Sequence, residues 1–449
     1  MRGVVNRDLN ERVMHPSVNA PISGYYKSGD VVEIAAASLG DKFDEDDLWY
    51  ELKNGAFVWN GAVDIEPEFA TNTNEDKEQF LISYRRILSD GRPDMFTQQP
   101  PDELYFMPVL LPAREANIRF NNLIPGNFAD GVLKSIDRLH NPSRRHVFIY
   151  IHGFQPFSSL KLDLFNSFVQ NYLNNPSNKI AKVLFMIWPS QGLSRKRADD
   201  RAISAGENFT ANNLFEPFRV LSEKLKDKGM FLNLVVHSFG HQLVNGMLNP
   251  FIPNNVPAEI FENIFLMASD VTHLAMSQSG ITLRNNFGQN DTFTYDYNKL
   301  KTLGKNVHVF YDEFDYLLYA STKKFVGGDR IARRTTVQDR RDLTNNYRNL
   351  GNYGKSEIKP PFTSIQNINV QSVQDLITPD VLINLCDFPW LPTRENSSFR
   401  QHIKQVIENA DYEGIKTLKI IFNQRRLQNY HQYVFTCKPV VDAVQRLLV

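Results

Sequence analysis

The stretch Val235-Val236-His237-Ser238-Phe239-Gly240-His241-Gln242-Leu243 decides how the chain is read. Phe231, Leu232, Leu234, Val235 and Val236 form a short apolar run of the kind that makes a buried parallel strand. The run stops at His237. A helical spacing then begins, with Leu243, Val244, Met247 and Leu248 on one face, until Asn249 and Pro250 end it. Ser238 therefore sits in a tight turn between a strand and a helix. Such a nucleophile elbow lifts one side chain clear of a sheet and aims a helix N-terminus at the chemistry. It also asks for small neighbours so that strand and helix can pack closely. Gly240 supplies one small position, and Val236 departs from the other. A serine between strand and helix also serves as an ordinary helix cap, so the rest of the chain must decide.

A chain of 449 residues, 42% of them hydrophobic, is long enough for one large core and a smaller domain. Lys plus Arg and Asp plus Glu both number 50, so no global field draws the chain to nucleic acid or an anionic membrane. Two cysteines, Cys386 and Cys437, are too few for a disulfide framework and suit a reducing compartment. The N-terminus carries charges where a signal peptide needs its apolar centre, and no run reaches the length of a membrane span. The expectation is a cytoplasmic protein, unless a segment upstream of this chain directs export.

Residues 1–66 read as short strands between turn signals. WYEL and AFVW, either side of Lys53-Asn54-Gly55, predict a hairpin with Asn-Gly at its turn. The order LNERVMHPSVNAPISGYYKSGDVVEI (9–34) then WYELKNGAFVWNGAV (49–63) resembles bacterial SH3-like domains. That resemblance implies a peptide or cell-wall ligand for this module. Tyr25, Tyr26, Trp49 and Trp59 are the aromatic platform it would use, although a barrel this small also needs large rings in its core. Residues 67–78 are polar and aperiodic and read as a linker.

From residue 79 to 449 the pattern changes. QFLISYRRI and ELYFMPV read as antiparallel opening strands. VFIYI (147–151), KVLFMIW (182–188), NIFLMAS (263–269) and VHVFY (307–311) are further buried strands, with amphipathic helices between them. Among these helices, Leu214, Phe218, Leu221 and Leu225 share a face, with Pro217 in the first turn and Gly229 past the end. A last helix carries Val440, Val441, Val444, Leu447 and Leu448. The fold class is therefore α/β, a doubly wound and mostly parallel sheet behind a small all-β barrel. A Lys/Arg-rich stretch near 323–376 lacks apolar periodicity and reads as an insertion. It is either a solvated loop or a basic lid over phosphate or carboxylate.

Ligands in such sheets sit at the carboxyl ends of the strands. There the chain places His152-Gly153-Phe154-Gln155, Pro189-Ser190-Gln191-Gly192, Asp312-Glu313-Phe314-Asp315 and, late in the sequence, His431. Gly153 lets backbone approach a substrate, and the N–H groups of Phe154 and Phe239 are candidate oxyanion donors. The order Ser, Asp, His is that of triads on the α/β-hydrolase sheet. VFIYIHGFQPF, MIWPSQG, LNLVVHSFGHQLV, VFYDEFDYLLYAS and HQYVFTCKPVVDAVQRLL together resemble an uncharacterised bacterial serine-hydrolase branch of the α/β-hydrolase superfamily.

By residue, the resemblance implies Ser238 as nucleophile, Asp315 as acid and His431 as base, with no cofactor. Asp270, at the end of another strand, and Asp312 are alternative acids. His402 is the alternative base, on the edge of a helix face. His152, Gln155 and His237 are candidate substrate contacts, and His241 reads as bonded to nearby backbone. Asp270, His273, His152 and Asp312 share one rim, but their spacing matches no metal motif. The implied activity is an esterase or lipase-like hydrolysis of a small-molecule ester or lipid. Phospholipase, thioesterase and peptidase are alternatives on the same fold, and an inactive scaffold is the non-enzymatic one, motivated by Val236.

Overall fold

The computed structural model describes residues 2–43, 46–66, 77–96, 100–120, 128–139, 141–154, 160–190, 195–251, 257–271, 273–276, 281–284, 292–311, 318, 368–372 and 437–448. These fall into two compact units, one from the described residues up to Glu66 and one from those beginning at Lys77.

The first unit is a seven-stranded sheet of β1 (Arg2–Val5), β2 (Leu9–Arg12), β3 (Ile22–Tyr26), β4 (Val31–Phe43), β5 (Asp46–Leu52), β6 (Phe57–Trp59) and β7 (Val63–Glu66). Its order is β3-β2-β6-β5-β4-β1-β7, and its strand pairs are antiparallel. The β5–β6 hairpin forms where Asn-Gly predicts it. Gly55 N–H donates to Leu52 O (2.9 Å), Leu52 N–H donates to Ala56 O (2.7 Å), and Gly55 takes φ +80°, a left-handed position that glycine adopts without steric cost. Trp49 and Trp59 face each other across this hairpin and are both buried, in a core with Val5, Val32, Ile34, Leu52, Val58 and Val63. The tryptophans thus fill the interior of this small unit instead of forming a surface platform. Tyr25 stays more than half exposed, its hydroxyl donating to Asp8 Oδ2 (2.6 Å), and Tyr26 donates to Glu11 Oε2 (2.6 Å).

In the second unit β8 (Glu78–Ser83) and β9 (Tyr105–Leu110) are followed by α1 (Phe128–Ile136), β10 (His146–Ile151), α2 (Leu162–Leu173) and β11 (Ile180–Ile187). Then come α3 (Arg195–Ala211), α4 (Glu216–Asp227), β12 (Phe231–His237), α5 (Gly240–Leu248) and β13 (Phe261–Met267). A hairpin of β14 (Ile281–Arg284) and β15 (Thr292–Tyr295), the short α6 (Leu300–Leu303), β16 (Gly304–Tyr311), β17 (Ile368–Ser372) and α7 (Lys438–Leu447) follow among the described residues. The sheet order is β17-β16-β13-β12-β10-β11-β8-β9. Among the described strands of this sheet only the edge strand β9 runs antiparallel to its neighbour.

The predicted strands and helices form close to the expected bounds, and Gly229 past the end of α4 takes φ +66°. Two elements add to the sequence reading. Polar α3 is a helix, and β17 lies inside the 323–376 stretch, where it extends the sheet beside β16.

The period-2 alternation of buried strands feeds two cores. On one face Val147, Ile149, Ile151, Leu234, Val236 and Ile264 meet α1, α3, α4 and α5. On the other, Phe148, Tyr150 and Phe185 pack on Phe165, Phe168 and Tyr172 of α2. α7 is tied to this side, with Gln445 Nε2 donating to Tyr172 O (3.1 Å).

Helix α5 is buried along its whole length. It reaches α3 backbone to backbone, since a methyl group on Gly246 would sit 2.0 Å from Ile203 O and one on Gly206 would sit 2.1 Å from Leu243 O. Asn233, Asn263 and Asn306 stand opposite one another on β12, β13 and β16. Asn263 Nδ2 donates to Asn233 Oδ1 (2.8 Å), and Asn263 Oδ1 accepts from His308 Nε2 (3.0 Å) and Asn306 Nδ2 (3.4 Å). These bonds satisfy amides that would be costly to bury alone.

Candidate active site

Strand order reverses around β10, because β11 lies to one side of it and β12 to the other. In open α/β sheets such a switch point opens a crevice at the carboxyl ends of the strands. At this switch point stand His152-Gly153-Phe154 after β10 and Ser238-Phe239-Gly240 after β12.

Ser238 adopts φ +52°. A non-glycine residue in the left-handed region is strained by about 1–2 kcal/mol, and here the strain belongs to a turn with no slack. Ser238 N–H continues the parallel ladder by donating to Met267 O (3.0 Å), while its carbonyl accepts from His241 N–H (3.1 Å) as α5 begins. The residue is 9% exposed.

The small-residue requirement of the elbow falls on glycines from both strand ends. A methyl group on Gly240 would lie 2.8 Å from His152 O, and one on Gly153 would lie 2.8 Å from Ser238 Cβ and 3.2 Å from its Oγ. Val236, where the sequence reading expects a small residue, is instead an ordinary core residue, fully buried between Ile151 and Leu266. The tight approach comes from β10 at Gly153, so the valine obstructs nothing.

Phe154 and Phe239 meet edge to face, ring centroids 5.5 Å apart, and Phe239 also stacks on Trp188 at 6.1 Å. Trp188 Nε1 donates to His152 O (2.9 Å), which fixes the loop end carrying Gly153. Neither the Phe154 nor the Phe239 N–H is taken by an acceptor among the described residues.

The histidines around the elbow are enclosed. His152 is fully buried against Phe185 and Trp188, and Nδ1 lies 2.8 Å from Gly153 O. Donation to that carbonyl makes Nδ1 the protonated nitrogen and leaves Nε2 an acceptor. Burial pushes His152 down to about 3, against the Gly153 carbonyl bond, so it is neutral near pH 7. His241 is likewise lowered to about 3 by burial, and its Nε2–H donates to Val236 O (3.0 Å). It braces the turn. The Tyr297 hydroxyl, without any signal in the sequence, donates to His241 O (2.8 Å). His237 ends β12 opposite Met267 and is buried.

Asp270 is brought to the elbow. After β13 the chain turns through Ala268 at φ +47°, and Asp270 N–H points at Ser238 O (3.4 Å), while Gln242 Nε2 donates to Asp270 O (2.6 Å). Asp312, Asp315, His431, Gln155 and His402 lie outside the described residues. Among the described residues no group of three or more His, Cys, Asp or Glu is arranged to hold a metal ion. No described helix is long and apolar enough to cross a membrane.

One residue escaped the sequence reading. Arg85, two residues beyond β8, is 1% exposed, with Nη1 donating to Asp94 O (3.2 Å). Burial lowers it to about 10, which keeps it charged near neutrality. Its signal in the sequence is the Arg-Arg pair directly after a buried strand.

Residues 132–347 match the model of a family described as an alpha/beta hydrolase of unknown function (DUF900). The matched segment runs from within α1 past β16 and includes Gly153, Ser238 and Asp270. It supports an α/β-hydrolase fold for the larger unit. No curated protein matches the chain.

Proposed function

We propose that the larger unit is a cofactor-independent serine hydrolase that cleaves a carboxylic ester through an acyl-enzyme, with Ser238 as nucleophile. The observation that carries the reading is the left-handed Ser238 at the strand-to-helix turn, faced by Gly153 and flanked by the unengaged N–H groups of Phe154 and Phe239. In this reading Ser238 Oγ attacks the ester carbonyl while His431 takes its proton. The two N–H groups stabilise the tetrahedral oxyanion, where a single donor is worth roughly 10²- to 10³-fold in rate. His431 then returns the proton to the leaving alcohol, and water repeats the sequence on the acyl-enzyme.

Asp315 is the acid that orients His431, with Asp270 the first alternative because its backbone is bonded to the Ser238 turn. The first unit acts as an SH3-like module for a peptide or cell-wall ligand, with exposed Tyr25 on its binding face.

A panel of p-nitrophenyl esters tests the enzymatic reading. Ser238→Ala and His431→Ala should each lower kcat by roughly 10⁴-fold or more while the protein stays folded. Asp315→Asn should cost more than Asp270→Asn. Turnover that survives Ser238→Ala would overturn the assignment.

A further inference from the structure

Three consecutive strand ends beside Ser238 carry enclosed polar atoms with no hydrogen-bond partner among the described residues. They are Nε and Nη2 of Arg85 after β8, Oγ of Ser190 after β11 and Nε2 of His152 after β10. All three residues are at most 1% exposed. The strands are neighbours in the order β8-β11-β10-β12, so the row leads from Arg85 across the sheet to Ser238.

Arg85 is the most demanding member. Burying a guanidinium with some of its donors unpaired is costly, and arginine does not escape by losing its proton. Nη1 is pinned by the Asp94 carbonyl, which fixes the plane of the group. What remains is the Nε/Nη2 edge, two parallel N–H donors on one side of the fork, the edge that binds carboxylate or phosphate oxygens in pairs. The Asp94 carboxylate acts on Arg85 through space, and among the described residues no carboxylate oxygen lies within 4 Å of the guanidinium. The Asp94 Oδ1 atom is used instead by Phe96 N–H (2.9 Å). The Arg85 charge is also felt at His152, whose peptide adjoins the Ser238 turn.

We infer that the substrate carries an oxyanion, a carboxylate or phosphate remote from the cleaved bond, that docks on the Nε/Nη2 edge of Arg85 with Ser190 as a further donor. This rests on the serine-hydrolase reading and adds its substrate class. Strands lie about 4.8 Å apart, so β8 and β12 are separated by about 14 Å. Allowing for the reach of the arginine side chain, the anion sits on the order of 10 Å from the attacked carbonyl. The substrate is then an ester with its charge at the far end of the acyl chain.

The test compares p-nitrophenyl nonanoate, whose extended acyl chain spans that distance, with the esters of matched length that end in carboxylate or phosphate, for the wild type, Arg85→Lys and Arg85→Gln, with thermal unfolding as the check of folding. The wild type should favour one charged ester at least tenfold in kcat/KM, chiefly through KM, and the preferred ester tells carboxylate from phosphate. Arg85→Gln should erase that preference, and Arg85→Lys should restore only part of it, because lysine supplies the charge without the two-donor edge. Equal use of neutral and charged esters by the wild type, or a preference that survives in folded Arg85→Gln, would overturn the inference.

If no ester is hydrolysed, the serine-hydrolase reading fails by itself and the docking site is judged by binding. Adipate or inorganic phosphate should then raise the Tm of the wild type and not that of Arg85→Gln. The same outcome in both proteins overturns it. Should Arg85→Gln not fold, competition decides on the wild type: adipate or phosphate should inhibit hydrolysis of the neutral ester, and no inhibition at 100 times the ester concentration overturns the site.

Discussion

Gly153 and Ser238 touch: a methyl group on the glycine would lie 2.8 Å from the serine Cβ and 3.2 Å from its Oγ. This contact joins two strand ends that are neighbours in the sheet and 85 residues apart in sequence, and it defines how far the elbow can move. Gly153→Ala should therefore displace either Ser238 or the Phe154 N–H that follows the glycine. The expected result is a labelling rate of Ser238 by a fluorophosphonate at least tenfold lower, with a loss of about 1–3 kcal/mol in stability from overpacking. Urea unfolding and labelling kinetics measure the two effects, and an unaltered labelling rate would show that the contact does not set the serine.

The helices that support the elbow make a sharper comparison. Gly246→Ala in α5 drives a methyl into Ile203 O, where the approach is 2.0 Å and backbone faces backbone, so the cost should exceed about 2 kcal/mol. Gly131→Ala in α1 meets nothing within 4 Å and should stabilise by about 0.5–1 kcal/mol, since alanine loses less backbone freedom in a helix. Urea midpoints of the two variants should move in opposite directions. A Gly246→Ala midpoint at or above the wild type would contradict the close α3–α5 packing.

Stability should fall on acidification through buried histidines. His308 is pushed down to about 4 by burial, and its Nε2–H donates to Asn263 Oδ1 (3.0 Å). In the unfolded chain it takes a proton near pH 6.5, so between about pH 6.5 and 4 the unfolded state binds more protons than the folded one. Its contribution is thus fully present above pH 6.5 and is lost as pH falls toward 4. His152 and His241, lowered to about 3, extend the loss further into acid. His308→Gln should flatten the dependence of unfolding free energy on pH between 6.5 and 4.5 by about one proton, a little over about 1 kcal/mol per pH unit. An unchanged slope would mean that His308 is not held neutral.

Much of the fold is legible because its signals are local. The run Phe231–Val236, the glycine after α4 and the Asn-Gly turn at 54–55 each state their structure within a few residues. What the sequence hides are contacts between distant residues. Gly206 and Gly246 are single glycines in separate helices, and nothing in either helix announces the other. The Asn233-Asn263-Asn306 row emerges only once three strands are in register. Polar α3 has too little apolar content in its first turns to declare itself, and the first buried residues among its described side chains are Ala202 and Ile203. At the site, Ser238, Gly153 and Phe239 are readable from a strand, a turn and a helix. Val236 departs from the small-residue pattern of such an elbow, and in the fold it packs as a buried core residue between Ile151 and Leu266. Arg85 is hidden from sequence reasoning because a charged residue after a strand looks like solvent-facing chain, whereas the fold buries it.

Covalent capture tests most directly whether Ser238, held at φ +52° in its elbow, is the nucleophile. The folded wild type incubated with a fluorophosphonate should gain one adduct, located by peptide mass spectrometry on Ser238, and Ser238→Ala should gain none. A folded wild type that stays unmodified, or one modified at another residue with Ser238 intact, would contradict the account.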